Sequence, residues 1–94
     1  MSLNRYAKKR DIAEPEVVST LKQCGFSVER IDTPVDLIVG FRRRTFLVEV
    51  KTGKRKLNEN QQGFVEAWRG SEIVTLRDAQ EAMDWCVQVS SEDA

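Results

Sequence analysis

The chain has 94 residues, room for one small domain spanning 1–94 and no second. Apolar residues make up 40% and charged residues 32%, with a net charge of zero, the balance of an ordinary globular protein. Histidine is absent, which excludes Ser/His/Asp and Cys/His nucleophilic catalysis, HNH-type nucleases and nearly all zinc enzymes, and leaves carboxylates, lysine, amides, hydroxyls or a hard metal to carry any chemistry. In chain order, residues 1–13 form a basic, weakly patterned arm. Pro15 suits a first helical turn, so a helix is predicted from Pro15 to Gly25, whose permissive backbone ends it. Phe26 to Ile31 alternates apolar and polar as a half-buried strand does. Val35–Phe41 and Thr45–Val50 flank the polar turn Arg42-Arg43-Arg44 and read as a hairpin at the centre of a sheet. A basic loop follows over 51–57. Asn58 then caps a helix through Trp68, ended by Gly70; Glu72–Leu76 is a fourth strand; Asp78 with Glu81 forms a capping box for a last helix. The expected class is a mixed-sheet α/β (α+β) fold in the order α-β-β-β-α-β-α.

No apolar run approaches the roughly 18–20 residues of a membrane span, no signal peptide opens the chain, and Cys24 and Cys86 lack CxxC spacing. A cytoplasmic, reduced protein with no membrane partner is expected. Charge is unevenly spread: residues 1–56 carry 13 Lys/Arg against 7 Asp/Glu, residues 57–94 carry 2 against 8. That asymmetry lets one face attract phosphate.

A two- or four-residue hairpin loop centred on Arg42-Arg43 pairs residues whose numbers total 85. On that register Asp36 faces Glu49 with Cβ atoms about 5 Å apart, and Lys51 projects from the same face as Glu49. A three-residue loop would shift the register and spoil the pairing. Like charges facing each other are destabilising unless something neutralises them; a divalent cation with oxygen ligands is the natural candidate. The plainer reading is that Asp36 starts a strand and that Glu49 and Lys51 sit on a solvated face. Two observations weigh against it. Glu14 projects onto the apolar arc of the first helix, where a buried carboxylate needs a partner. Gln61, Phe64, Val65 and Trp68 form one helical stripe, placing Gln61 on an expected core-facing side, although three residues after Asn58 it also fits the second half of a capping box.

Taken in order, Arg10-Asp11…Glu14-Pro15-Glu16, Val35-Asp36-Leu37-Ile38-Val39-Gly40, Val48-Glu49-Val50-Lys51, Lys56-Leu57…Gln61 and Trp68-Arg69-Gly70 resemble the virus-type replication-repair nuclease (VRR-NUC) domains, in particular the short stand-alone forms of bacteriophages and prophages. The likeness covers roughly residues 10–82. It departs at Val35, where the family pattern usually has proline directly before the aspartate; Pro34 lies one position earlier. The resemblance implies a PD-(D/E)xK nuclease core, a homodimer, magnesium or manganese dependence, and cleavage of branched DNA of the Holliday-junction type, in the bacterial host cytoplasm if phage-encoded. Carried onto matching positions, it makes Asp36 and Glu49 metal ligands, with the Val50 carbonyl also facing the metal. Glu14 becomes an accessory metal or water ligand, Lys51 the catalytic lysine, and Gln61 a supporting group. Magnesium suits an all-oxygen ligand set better than zinc.

Lys54, Arg55 and Lys56 follow Lys51 directly and are expected to grip the DNA backbone beside the cut. Arg42, Arg43 and Arg44 lie at the far end of the hairpin, roughly 17–20 Å from the carboxylates, and are expected to meet another arm of branched DNA. On the last helix, Ala79, Ala82, Met83 and Cys86 with Trp85 and Val89 give an apolar arc broader than one-sided packing needs, which favours a homodimer. A non-catalytic DNA-binding or assembly module on the same fold is the alternative; a restriction-type enzyme is a third, disfavoured by the short chain.

Overall fold

The computed structural model describes residues 12–51 and 59–92. Within them run helix α1 (Glu14–Gln23), strands β1 (Ser27–Arg30), β2 (Leu37–Phe41) and β3 (Arg44–Val50), helix α2 (Glu59–Ala67), strand β4 (Val74–Leu76) and helix α3 (Ala79–Glu92). This is the expected order, with several ends one or two residues shorter and α1 and β3 starting one residue earlier. The four strands form one mixed sheet in the order β1-β2-β3-β4; β1, β2 and β3 are antiparallel neighbours and β4 joins β3 in parallel. The β2–β3 hairpin is therefore central. No helix among the described residues is long and apolar enough to cross a membrane.

Glu14 and Glu16 lie in the first turn of α1 and Lys22 in its last, charges that suit the helix dipole. The helix ends in a Schellman motif. Phe26 N–H donates to the Leu21 carbonyl and Gly25 N–H to that of Lys22, both at 3.0 Å, with Gly25 at φ 92°. That reversal lays β1 back along α1.

Cross-strand partners share a face of the sheet. Leu37 pairs with Val48 and Val39 with Phe46, and all four are buried. They join Val17, Val18 and Leu21 of α1 and Ala82, Trp85, Cys86 and Val89 of α3 in a single core. The alternate positions, among them Glu29, Ile38, Leu47 and Glu49, fall on the opposite face. At the start of α3 the Glu81 N–H donates to Asp78 Oδ1 at 2.8 Å, while Glu81 Oε1 accepts from the N–H of Arg77, one residue earlier than a capping box requires.

One expectation about helix faces is corrected. The stripe of Phe64, Val65 and Trp68 is not buried: among the described residues α2 has no extensive packing against another element, Phe64 and Val65 are half-buried, and Trp68 is 40% exposed. Phe64 and Trp68 instead lie against each other, ring centroids 5.1 Å apart, and the Trp68 indole donates to the Ser71 carbonyl. The apolar arc of α3 is only partly covered: Ala82, Trp85, Cys86 and Val89 are buried, Ala79 is half-buried and Met83 is 43% exposed.

The hairpin turn has two residues, Arg42 and Arg43, both at positive φ (51° and 69°). This is the backbone of the primed turns that match strand twist, normally built from Asn and Gly. A side chain there costs roughly 1–2 kcal/mol, while glycine costs about 0.5–1 kcal/mol in unfolded-chain entropy. Arg43→Gly should accordingly raise the unfolding free energy by about 0.5–1 kcal/mol, read as a higher melting temperature; an unchanged or lower value would mean that Arg43 makes stabilising contacts.

Candidate active site

The register totals 85, as a two-residue loop requires: Phe41 pairs with Arg44 and Leu37 with Val48. Regular pairing stops there, and Asp36 takes over the ladder with its side chain. Its Oδ2 accepts the Val50 N–H at 2.7 Å, and its carbonyl accepts the Ile31 N–H at 2.9 Å. Held between β1 and β3 in this way, the Asp36 carboxyl group lies within hydrogen-bonding reach of Glu49. Lys51 is placed by the parallel ladder, its N–H donating to the Leu76 carbonyl at 3.1 Å, and its Nζ lies 3.7 Å from Glu49 Oε1. Glu49 is 1% exposed and Lys51 7%. Asp36, Glu49 and Lys51 are thus brought together on the sheet face opposite α1 and α3.

Burial, then the neighbouring Asp36 charge and the hydrogen bond with Asp36, push the Glu49 carboxyl up from 4.5 to about 8; Lys51 pulls the other way and loses. Near neutral pH the metal-free pair therefore keeps a proton on Glu49, which donates to Asp36. Two adjacent oxygen ligands that resist joint ionisation are a fitting donor set for a hard divalent cation, which would take the place of that proton.

Glu14 does not join them. It is buried at 1% exposure, as its place on the apolar arc implies, but its Oε2 accepts from Arg30 Nε at 2.9 Å. Among the described residues no group of three or more His, Cys, Asp or Glu side chains is arranged to hold a metal ion. The expected convergence of Glu14 on the other carboxylates is thus replaced by an ion pair. Sequence reasoning missed Arg30, although a signal existed: two positions after Val28, it occupies the core-facing phase of β1. The backbone of Gln61 lies in α2, and its side chain is outside the described residues, as are Lys54, Arg55, Lys56 and Asn58.

The arginine turn is anchored within the fold. Arg42 Nη1 donates to the Ser90 carbonyl at 3.4 Å and its guanidinium lies over Phe41; Arg44 Nη2 meets Glu92 Oε1 at 3.0 Å and its guanidinium lies over Phe46. Both therefore clasp the last turn of α3, where cations suit the helix dipole. Glu92 is drawn below its ordinary range by hydrogen bonds from Gln88 and then Arg44. Arg43 is exposed. No protein-family model, curated sequence or solved structure matches the chain.

A carboxyl group whose folded pKa is raised favours the folded state most below its unfolded value. Its contribution is fully present below pH 4.5 and is lost as pH rises through about 8. Metal-free protein should lose stability between these limits, and Glu49→Gln should flatten that part of the profile. Chemical denaturation at pH 5, 7 and 9 checks it; a wild-type profile as flat as that of Glu49→Gln contradicts the proton-sharing pair.

Proposed function

We propose that the chain is a magnesium- or manganese-dependent endodeoxyribonuclease of the PD-(D/E)xK type, acting on branched DNA such as Holliday junctions. The observation that carries this reading is the pairing of half-buried Asp36 with the buried Glu49, with the Lys51 ammonium beside it. A retired or purely structural site has no need of two mutually repelling carboxyl groups with one of them fully buried, where an apolar pair would cost less. The ordered likeness to VRR-NUC domains adds the DNA substrate and its branching.

Asp36 and Glu49 would hold the cation, with the Val50 carbonyl beside them. When bound, it polarises the scissile phosphate and lowers the pKa of a coordinated water. The residues of the chain do the rest. Asp36 is fixed by the Val50 N–H, so its carboxylate needs no reorganisation. Glu49, relieved of its proton, would be a second anionic ligand. The Lys51 ammonium, 3.7 Å from Glu49 Oε1, orients the attacking water and stabilises charge on the phosphate. Gln61 supports the site and Glu14 acts from one remove, through Arg30. Lys54, Arg55 and Lys56 would grip the backbone beside the cut. Arg42 and Arg44 brace α3 and present Arg43 towards a second DNA arm. A homodimer, which would supply two symmetric cuts in a junction, is supported by the exposed Met83 and Val87 on α3; light scattering of the full chain reads it directly.

The non-catalytic alternative draws on the Lys51–Glu49 contact, which also compensates part of the buried charge. The two separate in one assay with duplex, flap, nicked and four-way DNA and added magnesium. The nuclease reading expects cleavage that Asp36→Ala and Glu49→Ala abolish with binding largely kept, and that Lys51→Ala slows by orders of magnitude. Near-normal cleavage by either carboxylate variant, or none by folded wild type on any substrate, would overturn it.

A further inference from the structure

Arg30 and Lys22 stand outside the carboxylate pair, yet both line the seam where β1 returns along α1. Arg30 is fastened at one edge only: Nε donates to the buried Glu14 at 2.9 Å, while the side chain stays 45% exposed. A half-exposed guanidinium held by its Nε is the kind of pre-organised fork that suits an oxyanion. Its chain neighbour Ile31 bonds Asp36, which places Arg30 one strand, about 5 Å, from the segment that carries the pair.

Lys22 is exposed on α1, and its neighbours one turn back on the helix are Val18 and Ser19, neither of them a carboxylate. Two shallow concavities flank the seam, and Lys22 and Arg30 line both. One, of about 480 Å³, adds Ser19 and Gln23 as polar groups; the other, of about 290 Å³, adds Val28 and Glu29. Glu29 is the acidic side chain facing this ground, and it lies on the β1 side.

We propose that Arg30 and Lys22 form a phosphate-binding seam in the α1–β1 groove that grips the DNA backbone. The seam rests on the nuclease reading for its ligand but makes a separate claim about binding. Because both side chains line the same two concavities, Arg30 and Lys22 take neighbouring phosphates of one strand. The ion pair with Glu14 holds the Arg30 fork in place, which also gives the buried Glu14 a role that does not require it to touch a metal.

The test uses the full chain in an Asp36→Asn background without added divalent cation, so that DNA is bound and not cut. Fluorescence anisotropy with a 20-base-pair duplex gives the salt dependence of affinity. Each phosphate contact contributes about 0.9 to the slope of log K against log salt. Lys22→Gln and Arg30→Gln should each make that slope shallower by about 0.9, and the double variant by about twice that; Arg30→Lys should recover most of the loss. Slopes unchanged in folded Lys22→Gln and Arg30→Gln proteins would overturn the seam and leave Arg30 as a partner of Glu14 alone. Should Arg30→Gln fail to fold, Lys22→Gln, which leaves the Glu14 ion pair intact, decides by the same criterion. Parallel cleavage of four-way DNA by wild type with magnesium separates the two claims. Cleavage with unshifted slopes removes the seam only, whereas shifted slopes without cleavage keep the seam and remove the nuclease.

Discussion

Two carboxyl groups held against each other away from water must share a proton, lean on an ammonium or take up a cation, and the structure makes Asp36 and Glu49 do the first two. Their contact is a matter of register. A slip of one residue between β2 and β3 would turn Glu49 into the core and Val50 out of it, so the site exists only while Leu37 stays opposite Val48. That register is in turn set at the far end of the hairpin, where Arg42 and Arg43 accept positive φ to keep the turn at two residues. Arg42 and Arg44 then tie the turn to the end of α3. The strain at one end of the ladder and the repulsion at the other are both sustained by the fully buried Leu37, Val39 and Val48 between them.

The same frame separates the buried charges into two kinds. Glu14 is neutralised by Arg30 from a neighbouring strand, an ion pair with one partner half in solvent. Glu49 has Lys51 beside it and still keeps its proton to about pH 8, because burial and Asp36 together outweigh the ammonium. In the proposed nuclease a cation would displace that proton, which would couple its binding to pH, with affinity rising as pH rises through that range.

Much of this was legible in the sequence, because it depends on period and count. The alternation of β2 and β3 and the polar turn between them fixed which residues face each other, and the position of Glu14 on the apolar arc of α1 foretold its burial. What the sequence could not disclose was the choice of partner. Glu14 had Arg30 within reach across the α1–β1 reversal, a contact set by the Schellman turn at Gly25, and no rule of spacing ranks that arginine against a shared metal. The stripe on α2 misled for a different reason. Periodicity reports an apolar face but not what covers it, and in the structure Phe64 and Trp68 cover each other. Likewise the arginine turn looked like a free cationic tip because Ser90 and Glu92 lie 48 residues away along the chain.

Asp36 and Glu49 share one proton, and in the proposed nuclease they would share one cation. Carboxyl carbon NMR of Glu49, followed against pH with and without magnesium, addresses both without reference to any substrate. The pair predicts a metal-free midpoint near 8 that falls to the ordinary carboxylate range when magnesium is added. A midpoint near 4.5 in metal-free protein, or one near 8 that saturating magnesium leaves in place, would contradict it.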